Sequence, residues 1–212
     1  MLHNSLFILF TLIKIITTRS SVSGRENLPS GACIVVANHV NLLDSPIIGI
    51  SLGRKVRFMA KEELFDAKII GFFTRQFGGF PVGKGRLDRR AGKMAREVLA
   101  CGETLVIFPE GKRNPDGKLG QAYGGAALLA CKTGVPVIPV GIIGTTQLTG
   151  KLWVFRRPRI SVNIGKPFTL NCRNDRLSKD VSQRLSKEVM RHIAAQLPAE
   201  YRGNYGQEVV NA

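Results

Sequence analysis

Acidic side chains are scarce in this sequence. Fifteen Asp and Glu stand against 31 Lys and Arg, which gives the 212 residues a formal net charge of +16. A surface with so few carboxylates attracts polyanions, namely nucleic acid, anionic lipid head groups or phosphorylated substrates. The hydrophobic fraction of 44% is ordinary for a globular chain, and the length predicts one domain with a sizeable core.

Aromatic residues and cysteines are also few. One Trp and three Tyr offer little stacking surface for bases, which disfavours a basic nucleic-acid-binding domain but leaves it as an alternative. The four cysteines have no metal-binding spacing. We therefore expect small buried thiols in a reducing compartment, with no metal and no cofactor.

The N-terminal apolar run is too short to cross a bilayer as a helix, which takes roughly 20 residues. It covers residues 5–16, contains Lys14, and lacks the basic start and cleavage site of a secretory signal. Two interpretations remain, a core helix or a helix partly sunk in one leaflet. Nearly every side of the segment is apolar, whereas a soluble core helix has a polar stripe, so we favour membrane association.

The remainder of the chain alternates short β-like runs with helical stretches. Strands are predicted at 33–37, 56–60, 104–108, 137–143 and 160–164. Helices are predicted from Ser45-Pro46 and at 68–77, 89–100, 124–133 and 178–196. This order predicts an α/β fold, a mostly parallel central sheet flanked by helices, with ligands beyond the carboxyl ends of the strands. We divide the chain into an N-terminal helix (1–20), one main domain (21–201) and a polar, frayed tail (202–212).

The first candidate site lies just after the predicted strand 33–37. His39 follows the strand and Asp44 precedes a helix, so a turn between them can bring the two side chains together. An Asp bonded to one ring nitrogen makes the other a general base. Spacing alone leaves open that Asp44 merely caps the helix beside an incidental His.

Three further segments carry glycine, proline or charge. Residues 108–113, Phe-Pro-Glu-Gly-Lys-Arg, suit either an anion site or a plain polar turn. Residues 78–86 contain four glycines, Lys84 and Arg86, which fits a phosphate contact or a flexible basic loop. Residues 134–141 hold no titratable group and are predicted to be a buried strand.

The four segments in this order resemble the glycerolipid acyltransferase family, most closely the bacterial 1-acylglycerol-3-phosphate acyltransferases. The motifs are Asn-His-x-x-x-x-Asp (38–44), Gly-x-Phe-Pro-Val-x-Lys (78–84), Phe-Pro-Glu-Gly (108–111) and Val-Pro-Val-Ile-Pro-Val (135–140). The resemblance runs from about residue 22 to 167. It implies an acyltransferase domain for residues 21–201.

The resemblance also implies roles for single residues. His39 is the implied catalytic base and Asp44 its orienting partner. The implied site-shaping residues are Asn38, Glu110 and Gly111, and the implied phosphate-binding residues are Lys61, Lys84 and Arg113. Three positions depart from the family pattern: Asn41 replaces a serine, Lys112 a threonine and Lys84 an arginine.

The expected reaction moves a fatty acyl group from a thioester to the sn-2 hydroxyl of 1-acylglycerol 3-phosphate, giving phosphatidic acid for phospholipid biosynthesis. Glycerol 3-phosphate or another lyso-lipid remains an alternative acceptor, and acyl carrier protein and coenzyme A are both open as the donor. We expect an anionic membrane surface, a lysophospholipid and possible contact with acyl carrier protein as partners, and no nucleic acid. The expected location is the cytoplasmic face of the cell membrane, in a peripheral or monotopic arrangement.

Overall fold

Seven strands and eight helices alternate along the part of the chain that the structure describes. The computed structural model of the protein describes residues 2–83, 89–150, 152–170, 172 and 178–206, with side chains from Phe7 onward. The strands are β1 (Arg19–Ser23), β2 (Cys33–Ala37), β3 (Val56–Lys61), β4 (Gly79–Val82), β5 (Thr104–Ile107), β6 (Val137–Ile143) and β7 (Arg159–Ile164). The helices are α1 (Leu2–Thr17), α2 (Asp44–Leu52), α3 (Glu63–Asp66), α4 (Lys68–Gln76), α5 (Arg89–Ala100), α6 (Gly125–Thr133), α7 (Trp153–Arg156) and α8 (Lys179–Ala194).

The strands form one mostly parallel sheet in the order β1-β7-β6-β2-β5-β3-β4. Strands β2 to β6 all run in the same direction, β7 is antiparallel to β6, and β1 is parallel to β7. The predicted α/β class with a mostly parallel sheet is therefore confirmed. The two strands that the sequence did not predict, β1 and β4, are the outermost ones. Their sequences, Arg-Ser-Ser-Val-Ser and Gly-Phe-Pro-Val, lack a continuous apolar run because an edge strand need not be buried on both faces.

Helices cover both faces of the sheet. Alternate residues of β2 point to opposite faces, so Ile34 and Val36 pack with α5, α6 and α8, whereas Val35 and Ala37 pack with α2 and α4. All five residues of β2 are buried. This two-sided burial explains the unbroken apolar strand sequences and places the polar chemistry at the strand ends.

Helix α1 lies on the outside of the α2 and α4 layer. The Phe10 ring meets Phe73 edge-on at 5.3 Å and Phe77 at 4.7 Å, which attaches the helix to the domain. In the described part of the chain no helix, α1 included, has both the length and the apolar character needed to span a bilayer. The predicted membrane association of α1 stays a prediction.

Three sequence expectations differ from the structure. Cys131 and Cys172 form a disulfide, so the expectation of small buried thiols is wrong for this pair. Cys33 is free and buried as expected, whereas Cys101 is free but exposed. The two paired cysteines are 41 positions apart, and only the packing of the segment after β7 against α6 brings them together.

The helix after β2 begins at Asp44, one residue before the start predicted at Ser45-Pro46. Residues 203–205 form a 3-10 turn that Tyr205 packs against the core, in place of the frayed chain expected from 202 onward. Residues 207–212 lie outside the described residues.

Candidate active site

The loop that joins β2 to α2 folds around one buried carboxylate. Oδ2 of Asp44 accepts hydrogen bonds from the backbone N–H groups of Val40 and Asn41, each at 2.7 Å, and lies 2.9 Å from Nδ1 of His39. The Asp44 side chain is fully buried, and that of His39 is 17% exposed. The loop geometry therefore brings the predicted pair together. Asp44 does not act as a simple helix cap, because its bonded oxygen faces the residues before the helix.

This contact determines the tautomer of the imidazole. An ionised carboxylate only accepts hydrogen bonds, so Nδ1 of His39 carries the proton and Nε2 carries the lone pair. Nε2 has no hydrogen-bond partner among the described residues. The ring of Phe108 stacks on the imidazole with centroids 4.0 Å apart and an interplanar angle of 17°. His39 is thus a base whose plane is fixed on one side by an aromatic ring and whose orientation is fixed by a carboxylate.

Glu110, just after the neighbouring strand β5, holds the backbone of His39. Its side chain is 1% exposed, and its oxygens accept hydrogen bonds from the backbone N–H of His39 at 3.0 Å and of Gly120 at 2.8 Å. The Asn114 side-chain amide donates to the same carboxylate. Burial raises the pKa of Glu110, and the three hydrogen bonds and the nearby His39 partly oppose that increase. The Asn114 N–H also donates to the His39 carbonyl at 2.8 Å, so Glu110 and Asn114 together hold the His39 backbone.

Two asparagines attach the loop between β2 and α2, here called the catalytic loop, to β6 and the segment that follows it. Asn38 is 2% exposed; its side chain donates to the Ile142 carbonyl at 2.9 Å and accepts from the Ile142 N–H at 2.8 Å. The Asn41 side chain donates to the carbonyls of Thr145 and Leu148 at 3.3 and 3.2 Å. A serine here would be too short to bond both carbonyls in the same way. The Asn41 substitution therefore ties the loop to the segment that follows β6.

Gly111 is required by the turn after β5. Its φ of +62° is unfavourable for side-chain-bearing residues, and a Cβ there would lie 2.9 Å from the Tyr123 ring. The Gly111 N–H already donates to the Phe108 carbonyl at 3.0 Å. Gly111 shapes the turn, and its own amide is not available to stabilise an oxyanion.

The predicted phosphate-binding cations lie on one side of His39. The order β2-β5-β3-β4 places His39 at the end of β2, Arg113 after β5 and Lys61 at the end of β3. Adjacent strands are about 5 Å apart, so Lys61 lies roughly two strand spacings, or 10 Å, along the edge. Both side chains are exposed, as is that of Lys112. Lys84 follows β4 in the sequence and lies outside the described residues.

The sequence missed several contributors to this site. The stacking of Phe108 and the hydrogen bonds from Asn114 and Gly120 depend on β5 lying next to β2, an order that local sequence does not encode.

Chemically, the site holds an oriented base beside an anion-attracting edge. Ser45, the neighbour of Asp44, is 7% exposed within α2, which is a poor position for a nucleophile that must reach a lipid.

Comparisons with known proteins identify the family of the chain. The sequence profile of the Acyltransferase family matches residues 19–143. A chloroplastic 1-acyl-sn-glycerol-3-phosphate acyltransferase of Brassica napus is 35% identical over 70% of this chain and 45% of its own length. The 1-acyl-sn-glycerol-3-phosphate acyltransferase of Bacillus subtilis is 31% identical over 69% of this chain and 72% of its own length.

A solved structure is also similar. The crystal structure of the 1-acyl-sn-glycerophosphate acyltransferase of Thermotoga maritima matches with a TM-score of 0.66 and 30% identity, over 90% of this chain and 79% of that one. The chain spans about half the length of the plant and algal relatives that it matches.

Proposed function

The chain belongs to the acyltransferase family, and we propose that it transfers a fatty acyl group from an acyl thioester to the sn-2 hydroxyl of 1-acylglycerol 3-phosphate, giving phosphatidic acid. One observation carries the proposal: the His39 imidazole, oriented by Asp44 at 2.9 Å, presents Nε2 at the carboxyl edge of the sheet. Relatives named for this reaction support the choice of acceptor.

The proposed chemistry is general base catalysis. Nε2 of His39 removes the proton of the acceptor hydroxyl as its oxygen attacks the thioester carbonyl, and the buried Asp44 carboxylate stabilises the imidazolium that forms. The tetrahedral intermediate then collapses and breaks the C–S bond. The departing thiolate takes the proton from Nε2, which restores the neutral base. General base catalysis of this kind typically contributes ~10²–10⁴-fold.

The acceptor phosphate is assigned to the side of the edge formed by β5 and β3. Lys61 and Arg113 are exposed beyond β3 and β5, and Lys84 is proposed as a third contact from its place in the sequence. Arg113 can bind phosphate oxygens with two parallel hydrogen bonds, whereas Lys61 acts as a point charge. With the phosphate held there, the sn-2 hydroxyl lies on the His39 side.

We further propose that α1 holds the enzyme on a membrane surface. Six large apolar side chains of α1 are 40–68% exposed, namely Ile8, Leu9, Leu12, Ile13, Ile15 and Ile16. The one cation of the helix, Lys14, points inward instead and donates to the Ser51 hydroxyl at 3.0 Å. A helix in water has the opposite arrangement, so this orientation favours an apolar medium outside α1.

The test is thiol release from an acyl thioester in mixed micelles that contain 1-acylglycerol 3-phosphate, run with acyl carrier protein and coenzyme A donors in parallel. We expect turnover by the wild type and a loss of at least ~10²-fold in His39→Ala. His192→Ala is the matched control, because His192 also stacks on a phenylalanine, Phe168, but lies on α8 away from the site. Equal turnover in His39→Ala and the wild type would refute the mechanism. Turnover only with glycerol 3-phosphate or another lyso-lipid would refute the acceptor.

A further inference from the structure

A short amphipathic segment follows β6 at the same edge as His39. The Phe155 side chain of helix α7 is 82% exposed, and Leu152, just before the helix, is 61% exposed. Phe155 is the most exposed large hydrophobic side chain among the described residues. Exposing a phenylalanine to this degree leaves most of its apolar surface in water, which is unfavourable unless the segment has a partner.

Four arginines lie near this segment in the chain or in the sheet. Arg156, Arg157 and Arg159 follow Phe155, and the register of β1 with β7 places Arg19 directly opposite Arg159. Like charges in directly paired positions repel each other. Within the described part of the chain, Arg19, Arg156 and Arg159 have no carboxylate at ion-pair distance. We call Arg19, Arg156, Arg157 and Arg159 the arginine rim. It is a concentration of positive charge that no carboxylate of the described residues neutralises.

The arginine rim is continuous with the exposed face of α1. The Arg157 side chain donates to the Ile15 carbonyl at 3.3 Å, in the last turn of α1, where Ile15 and Ile16 are 56% and 68% exposed. Arg157 has a φ of +46°, the only positive φ of a non-glycine residue in the described chain. This backbone conformation costs energy in a non-glycine residue. It sets α7 beside the end of α1.

The arginine rim and the phosphate-binding cations flank His39 on opposite sides. The segment from β6 to β7 leaves the sheet at the carboxyl end of β6, next to β2, and rejoins it at β7, two strands from β2 in the direction away from Lys61. The Asn41 hydrogen bonds to the carbonyls of Thr145 and Leu148 join this segment to the catalytic loop.

We propose that α7 and the arginine rim are a second membrane-docking element, adjacent to α1, whose partner is a bilayer that contains anionic phospholipid. Leu152 and Phe155 enter the boundary between head groups and acyl chains, while the guanidinium groups bind lipid phosphates. The mixture of aliphatic, aromatic and arginine side chains fits a lipid interface better than nucleic acid, which does not solvate leucine. This proposal rests on the proposed function only in that docking serves to place the active-site edge against the lipid. Docking itself is measured without substrate.

The experiment is co-sedimentation of the full chain with phosphatidylcholine vesicles, with and without phosphatidylglycerol. A basic residue near an anionic surface contributes roughly a fivefold factor in binding, so Arg156→Gln/Arg159→Gln should weaken binding about 25-fold on the anionic vesicles only. The matched control is Arg90→Gln/Arg96→Gln on α5, which removes the same charge from exposed positions on the opposite face and should bind much more like the wild type.

A second pair of variants tests the apolar contribution. Phe155→Ser should weaken binding about tenfold on both kinds of vesicle, and Phe155→Trp should retain it, because tryptophan favours the interface. Equal losses in the Arg90/Arg96 and Arg156/Arg159 variants, or unchanged binding by Phe155→Ser, would overturn the proposal. Arginine-dependent binding of duplex DNA in place of vesicles would also overturn it. Acyl transfer measured in micelles is independent of these outcomes, so its absence would refute the proposed function while leaving the docking result intact.

Discussion

Replacement of Asp44 by asparagine tests the electrostatic part of the mechanism with little change in shape. The Val40 and Asn41 N–H groups both point at Oδ2, so the asparagine oxygen must take that position. The variant therefore still accepts the Nδ1 proton of His39 and keeps the same tautomer. What it loses is the negative charge that stabilises the imidazolium.

The expected size of the effect follows from the 2.9 Å contact. Two unit charges at that distance attract each other by about 6 kcal/mol at an effective dielectric constant of about 20. A neutral acceptor retains roughly half the strength of a charged one, so about 3 kcal/mol is lost in the transition state. That loss corresponds to a kcat lower by about two orders of magnitude. KM should change little, because Asp44 is fully buried and does not touch the acceptor.

The assay is steady-state thiol release, with thermal unfolding followed in parallel. The new amide group would occupy the place of Oδ1, which is buried and has no hydrogen-bond partner among the described residues. Two buried unpaired donors cost about 1–3 kcal/mol, so the melting temperature should fall by several degrees while the chain stays folded. Asp180→Asn, at an exposed position in the first turn of α8, is the control for the loss of one carboxylate. A folded Asp44→Asn enzyme with kcat within threefold of the wild type would refute the assigned role.

Three more predictions follow from the same geometry. Because burial raises the pKa of Glu110, the folded state holds that proton more tightly than the unfolded chain, and stability should fall as pH rises above about 4.5. Glu110→Gln should make the free energy of unfolding, measured by urea denaturation, less dependent on pH in that range; parallel wild-type and variant curves would contradict this. Lys61→Met and Arg113→Met should each raise KM for the phosphate-bearing acceptor about 10-fold or more with a smaller change in kcat, and an effect confined to kcat would refute phosphate binding. Reduction of the Cys131–Cys172 disulfide should lower stability by about 2–4 kcal/mol in thermal unfolding with and without a thiol reductant, whereas the Cys131→Ser/Cys172→Ser variant should not respond to the reductant.

Local sequence was sufficient for much of the fold. The central strands β2, β5 and β6 are buried on both sides, so each has a continuous apolar run that is visible without a structure. Their alternation with helices was enough to predict a parallel sheet, and therefore a site at its carboxyl edge. The edge strands β1 and β4 left no such signal. The predicted roles of Lys61, Lys84 and Arg113 remain predictions.

The His39–Asp44 pair shows where the sequence ends and the tertiary structure begins. The five-residue spacing across a strand-to-helix turn permitted the contact, but it equally permitted a simple helix cap. The backbone N–H groups of Val40 and Asn41 decided between the two by turning Oδ2 back toward the imidazole. Because these donors lie within the same loop, this part of the site is nearly local, and sequence reasoning came close to it.

The remaining features depend on contacts between distant segments. Phe108 stacks on His39, and Glu110 holds the His39 backbone, because β5 lies beside β2. The strand order that places β5 there is a property of the whole sheet. The pairing of Cys131 with Cys172 and the contact of Arg157 with Ile15 likewise join residues far apart in the chain. Composition and periodicity determined the fold class, because burial and hydrogen bonding along an element repeat with its period. The roles of His39 and Asp44 were implied by the resemblance of the ordered motifs to the acyltransferase family. The tertiary structure alone decided which residues surround each of these side chains. These neighbours depend on how the elements pack, and the order of the elements along the chain does not give their order in space.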